Sequence, residues 1–123
     1  MKLNAKEQKQ VLNDLKELQK MNITCYQRKL LTGGCAMIIY DRKVYNMSLT
    51  RDDENHLQYT IDDGSNFWEA GHSIKEAEAL PSKFIIAPVD TTDPNAIYSL
   101  MLDVHTAKEI KTALDTFNKI AHD

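Results

Sequence analysis

The stretch GCAMIIYDRKVYNMSLT at residues 34–50, followed by RDDEN and by HLQYTI at residues 56–61, decides the fold. Side chains in a β-strand point alternately to opposite faces of the sheet. In its last two segments large apolar residues alternate with mostly polar ones, at positions Tyr45, Met47, Leu49, Leu57, Tyr59 and Ile61. This period of two predicts neighbouring antiparallel strands that share one buried face.

The first segment of this stretch differs from the other two. Residues Cys35 to Tyr40 are apolar at almost every position, so this strand is apolar on both faces. We therefore expect its back face to be partly covered or to lie near a partner. Asp41 to Lys43 is short enough for a tight hairpin, whereas Arg51 to Asn55 is a longer polar connection.

Three capping boxes predict helices outside this sheet. They begin at Asn4, Ser73 and Thr106, each with a glutamate three residues later. The first helix has an apolar stripe formed by Val11, Leu12, Leu15 and Leu18, and the last has one formed by Ile110, Ala113, Leu114, Phe117 and Ile120. The middle helix is short, because Pro81 ends it.

Further strands are predicted at Ile23–Lys29, Lys83–Val89 and Ile97–Val104. The resulting order is helix, four strands, short helix, two strands, helix. This order predicts an α+β fold with a largely antiparallel sheet of about five to six strands, on which the N-terminal and C-terminal helices pack. With 123 residues, the chain suits a single domain spanning residues 1–123.

Composition is that of a soluble globular protein, with 42% apolar and 27% charged residues. The sequence contains no apolar run of the length that spans a bilayer, and its start lacks the apolar core of a secretion signal. These features predict a cytoplasmic protein that does not contact membranes. In that compartment we expect Cys25 and Cys35 to be reduced rather than joined in a disulfide.

Charge is distributed unevenly along the chain. Residues 1–50 carry nine Lys/Arg and four Asp/Glu, whereas residues 51–103 carry three Lys/Arg and eleven Asp/Glu. If this asymmetry persists in space, an acidic surface would attract a partner protein with a basic surface. The alternative is a solvated surface that maintains solubility. Direct nucleic-acid binding is not expected, because the whole chain is acidic, with a pI near 5.8.

No catalytic motif, cofactor signature or metal-ligand spacing occurs in the sequence. The four histidines, His56, His72, His105 and His122, lie in different predicted elements. The best candidate for acid–base chemistry or a divalent ion is His72 with Asp62, Asp63 and Glu69, around one loop. We favour the simpler interpretation, an acidic turn followed by a histidine before a helix cap.

These observations favour a small non-enzymatic protein that binds another protein and neutralises or escorts it, as immunity proteins, antitoxins and phage-encoded inhibitors of host defence do. The residues expected to contact the partner are Asp52, Asp53, Glu54, Asp62, Asp63, Trp68 and Glu69. The carboxylates would steer association, and Trp68 would either anchor the partner or plug the edge of the core.

Two alternatives remain open at this point. One is a small ligand-binding domain or enzyme with a site near His72. The other is a structural subunit of a larger assembly. A homodimer formed through a sheet edge or through the first helix is compatible with each of these hypotheses.

Overall fold

A computed structural model describes residues 2–26, 30–31, 34–64, 66–80, 85–88 and 98–122. The strands are β1 (Thr24–Tyr26), β2 (Ala36–Tyr40), β3 (Lys43–Arg51), β4 (Leu57–Asp62), β5 (Ile85–Pro88) and β6 (Tyr98–Val104). The helices are α1 (Ala5–Lys20), α2 (Asn66–Glu69), α3 (Ile74–Glu78) and α4 (Ala107–His122).

The six strands of the described residues form one antiparallel sheet with the order β1-β2-β3-β4-β6-β5. The predicted α+β class, with helices at both ends of the chain and a short helix between strands, is confirmed. Parts of the predicted strands Ile23–Lys29, Lys83–Val89 and Ile97–Val104 lie outside the described residues, and their described parts are β1, β5 and β6. None of the helices in the described part of the chain has the length and apolar character needed to cross a membrane.

The core lies between one face of the sheet and helices α1 and α4, and we call this side the helix face. The predicted inward residues of β3 and β4 are all buried there, and Tyr45, Met47, Tyr59 and Ile61 have at most 1% of their surface exposed. The helices contribute the fully buried side chains Val11, Leu18, Ile110, Leu114 and Phe117. We call the opposite side of the sheet the open face.

The helix starts are fixed by the predicted caps. Asn4 accepts a hydrogen bond from the amide of Glu7 at 2.8 Å, and the Glu7 carboxylate accepts from the Asn4 amide at 3.2 Å. Ser73 and Glu76 form the same reciprocal pair, and the Thr106 hydroxyl accepts from the Glu109 amide at 3.1 Å. These bonds satisfy amides that have no partner within the helix.

The hairpin between β2 and β3 has two residues in its turn. Asp41 and Arg42 have φ angles of 49° and 65°, and the strands meet at the pair Tyr40 and Lys43. Successive left-handed residues are typical of the type I′ turn, whose twist matches that of the flanking strands. The predicted tight hairpin is therefore confirmed, although it contains no glycine.

Helix α2 was not predicted. The sequence favoured a turn over residues 62–66 followed by a loop. In the structure, the Asp63 carboxylate accepts a hydrogen bond from the Phe67 amide at 3.1 Å, and Phe67 is buried in the core. These two contacts wind residues 66–69 into one helical turn.

Candidate partner-binding surface

The acidic loop between β3 and β4 contains the first three predicted contact residues. Asp53 and Glu54 are exposed. Asp52 instead organises the loop, because one of its carboxylate oxygens accepts from the amides of Glu54 at 3.0 Å and His56 at 2.8 Å. These hydrogen bonds, that of the His56 amide first, lower the pKa of Asp52.

Two histidines that looked scattered in the sequence meet at this loop. The other carboxylate oxygen of Asp52 lies 2.9 Å from Nε2 of His105 and 3.6 Å from Nδ1 of His56. His105 follows β6, so this contact joins the β3–β4 loop to the start of α4. Within the described residues, no group of three or more His, Cys, Asp or Glu side chains is arranged to hold a metal ion.

Asp62 and Asp63 are neighbours at the end of β4, but they point to opposite sides of the sheet. Asp63 is buried, and its carboxylate accepts from the amides of Phe67 at 3.1 Å and Leu100 at 3.0 Å. Asp62 lies on the open face, where it accepts from the Gly64 amide at 2.6 Å and from the Ser99 hydroxyl at 3.0 Å. The carboxylate of Asp63 therefore accepts hydrogen bonds from buried backbone amides and does not lie on the surface in this structure.

Trp68 and Glu69 lie on α2 and are both exposed. Trp68 has 39% of its surface exposed to solvent, whereas its neighbour Phe67 has only 3% exposed. The side chain that plugs the core at this point is thus Phe67, and Trp68 presents aromatic surface to solvent.

The predicted contact residues do not form one continuous group. Asp52, Asp53 and Glu54 precede β4, whereas Asp62, Trp68 and Glu69 lie at or beyond its end. A strand of six residues separates these sets by roughly 20 Å at the usual rise per residue.

The side chains of the alternative site around His72 also contact different partners. Nδ1 of His72 lies 3.0 Å from the Glu76 carboxylate, and its ring stacks on Phe67 with 4.8 Å between the ring centroids. A hydrogen bond from the Ser73 amide, followed by that of His72, lowers the pKa of Glu76. Asp63 faces the interior amides instead of this ring.

The open face carries a surface that the list of predicted contact residues missed. Tyr26, Met37 and Val44 are 58%, 46% and 47% exposed, and all three lie on this face of β1, β2 and β3. Tyr26 pairs directly with Met37, and Val44 pairs with Ile39, which is half-buried. We call Tyr26, Met37, Ile39 and Val44 the apolar corner.

Towards β4 the open face is mainly polar, although Met101, the partner of Asp62 on β6, lies on it too. On β4 the Thr60 hydroxyl donates to Asp103 at 2.6 Å and lies 2.9 Å from the Thr50 hydroxyl. The only charged residues that the described strands place on this face are Asp62 and Asp103. No lysine or arginine of these strands lies on this side, since Lys43 and Arg51 are on the helix face, at the same parity as Tyr45.

Two grooves flank the helices. One, of about 230 Å³, lies between α1 and β1 and is lined by Leu12, Leu15, Lys16, Gln19 and Cys25. The other, of about 220 Å³, lies between α4 and β6. Burial raises the pKa of the Cys25 thiol to about 11, so at neutral pH this free cysteine is a protonated, weak nucleophile.

Comparison of the chain with known protein families, curated proteins and solved structures found no match. Functional inference for this protein therefore starts from its own surface. The sequence did contain one signal for the apolar corner. The double-sided apolar character of residues 35–40 predicted that the back of β2 is covered or lies near a partner, and Met37 on that side is 46% exposed.

Proposed function

We propose that this chain is a protein-binding protein that contacts its partner through the open face of the sheet. One observation carries the proposal. Of the five large apolar side chains found exposed in the described residues, three (Tyr26, Met37 and Val44) lie together on that face. Contiguous exposed apolar groups next to polar ones are typical of interaction surfaces.

The composition of the apolar corner supports this interpretation. Tyrosine and methionine are enriched at protein interfaces, because they bury large areas and adapt to a partner's shape. Each of these half-exposed side chains would contribute roughly 1 kcal/mol to association on burial, from the usual value for full burial. No charged residue of the described strands lies within the apolar corner.

Within this proposal the protein neutralises or escorts its partner, and the exposed acids Asp53 and Glu54 add long-range attraction for a basic surface. It acts in the cytoplasm, an environment in which cysteines such as Cys25 and Cys35 stay reduced. Both cysteines are free in the structure. No catalytic step is part of the proposal.

The test is affinity capture from the cells that contain the gene, followed by quantitative mass spectrometry. The tagged wild-type protein is compared with a Tyr26→Ser/Met37→Ser variant, and circular dichroism and thermal melting verify the fold of both. The matched control is Leu12→Ser, which removes a similarly exposed apolar side chain from α1 on the other side of the sheet.

We expect one protein to be captured in a stoichiometric amount by the wild type and by Leu12→Ser, and to be lost from the Tyr26→Ser/Met37→Ser variant. Retention of that protein by the double variant would contradict an open-face interface. Recovery of the wild-type chain alone would contradict protein binding itself.

A further inference from the structure

Two aspartates on the open face are neighbours on adjacent strands. Asp103 on β6 pairs with Thr60 on β4, and Asp62 is two residues further along β4. The two carboxylates are therefore diagonal neighbours on one face, about 7–8 Å apart at their backbones. Two negative charges at this separation repel each other, and a cation placed between them would offset that repulsion.

Only neutral groups hold these two carboxylates in the described structure. Asp62 accepts from the Gly64 amide and the Ser99 hydroxyl, and Asp103 accepts from the Thr60 hydroxyl. Among the described residues, the lysines and arginines that form ion pairs do so with other carboxylates, in the pairs Lys20–Glu17, Arg51–Glu7 and Lys111–Asp115. All three of these pairs involve a helix packed on the helix face.

The same face carries the apolar corner, so the pair of aspartates adjoins a surface that is already suited to a partner. Met37 on β2 is separated from Asp62 on β4 by two strand spacings and from Asp103 on β6 by three. At about 4.8 Å per spacing, Met37 is roughly 10 Å from Asp62 and at least about 14 Å from Asp103. An extended chain covers these distances in about three to four residues.

We propose that the open face binds a protein segment that contains a lysine or arginine and an apolar residue three to four positions before or after it. The basic side chain would lie between Asp62 and Asp103, and the apolar side chain would pack on the apolar corner. This inference rests on the proposed function and specifies the chemistry of the partner. The cation supplies a positive charge that the described strands do not place on the open face, and the serine and threonine hydroxyls already fix the carboxylates in place. Charge complementarity of this kind determines which partner binds.

A phage-displayed library of random twelve-residue peptides tests the inference without knowledge of the natural partner. The library is selected on immobilised wild-type protein, on D62N/D103N and on the matched control E17Q/E109Q. Both double variants remove two negative charges, but those of the control lie on α1 and α4. Asparagine keeps an oxygen acceptor for Gly64 and Thr60, and thermal melting verifies the fold. D103N alone serves if the double variant is unfolded, because Asp103 is exposed.

We expect the wild type and E17Q/E109Q to enrich peptides with a basic residue three to four positions from a large apolar one. Binding of these peptides to D62N/D103N should fall about tenfold, near the lower end of the coupling measured for close charge pairs at interfaces. Equal binding to the wild type and D62N/D103N, enrichment of peptides without lysine or arginine, or no enrichment on the wild type overturns the inference. None of these results removes the proposed function, which the capture experiment with Tyr26→Ser/Met37→Ser decides separately.

Discussion

Replacing Asp63 by alanine should strongly destabilise the protein, although the sequence placed this residue among the partner contacts. Asp63 is 2% exposed, and its carboxylate accepts hydrogen bonds from the amides of Phe67 and Leu100. A hydrogen bond to a charged group contributes about 1.5–3 kcal/mol, so the loss of two should lower the free energy of unfolding by about 3–6 kcal/mol. That is a large part of the 5–15 kcal/mol that stabilises a typical domain.

Urea denaturation followed by circular dichroism measures this effect. With a slope of about 1.5 kcal/mol per molar urea, which is within the range for small proteins, the midpoint should fall by about 2–4 M. The control is Asp53→Ala, which removes an exposed aspartate from the β3–β4 loop and should change the free energy of unfolding by less than about 0.5 kcal/mol. Equal midpoints for Asp63→Ala and Asp53→Ala would refute the structural role that we assign to Asp63.

This prediction also limits how binding experiments are designed. A charge reversal at Asp63 would unfold the chain, so lost binding in such a variant would report the loss of structure. Glu69 is suitable for charge reversal, because it is exposed, whereas Asp62 is half-buried and accepts from the Gly64 amide and the Ser99 hydroxyl. The same reasoning leads us to use asparagine at Asp62 in the peptide selection.

Four further variants test the stability of the fold. Arg42→Gly should raise the free energy of unfolding by about 0.5–1 kcal/mol in urea denaturation, because glycine adopts its φ of 65° without strain, and a decrease would contradict the type I′ turn. Tyr59→Phe should cost about 1–3 kcal/mol, since its hydroxyl donates to a carboxylate at 2.5 Å. Tyr45→Phe should be nearly neutral, since its buried hydroxyl has no acceptor among the described residues, and equal losses for the two variants would contradict this difference. The hydrogen bond from Arg51 lowers the pKa of Glu7 from 4.5 to about 2, so this pair stabilises the fold above pH 4.5 and loses that effect as the pH falls towards 2. The melting temperature should therefore change less with pH between pH 2 and 6 in Glu7→Gln than in the wild type. An equal pH dependence of the two melting temperatures would argue against the ion pair.

The elements that the sequence predicted well depend on local patterns. Alternation over Tyr45–Leu49 and Leu57–Ile61 predicted which residues of β3 and β4 face the helices, because a strand has only two faces. It did not predict that Gln58 and Thr60, on the opposite face of β4, are buried as well. The capping boxes located helix starts, because a cap is formed by residues three positions apart. Both kinds of signal are contained within fewer than ten residues of sequence.

The surface could be predicted only in part, because its arrangement depends on pairing between distant strands. The sequence contains Asp62 and Asp63 side by side, but only the position of Leu100 on β6 shows that Asp63 turns inward. In the same way, Asp103 becomes a neighbour of Asp62 through the register of β4 and β6. The exposure of Met37 follows from the absence of any described helix on the open face, a fact that no local pattern contains.

The strand order also has a consequence for the rate at which the protein folds. Strands β1 to β4 follow one another as hairpins, and the turn at Tyr40 and Lys43 closes the shortest of them. The pairing of Asp62 with Met101 instead closes a loop of about 40 residues, which costs roughly 2 kcal/mol more in chain entropy than a four-residue turn. We therefore expect the four-stranded meander to form early and the arrival of β6 with α4 to limit the rate. Mutations in β6 should slow folding, whereas mutations in the β2–β3 turn act mainly on the first step.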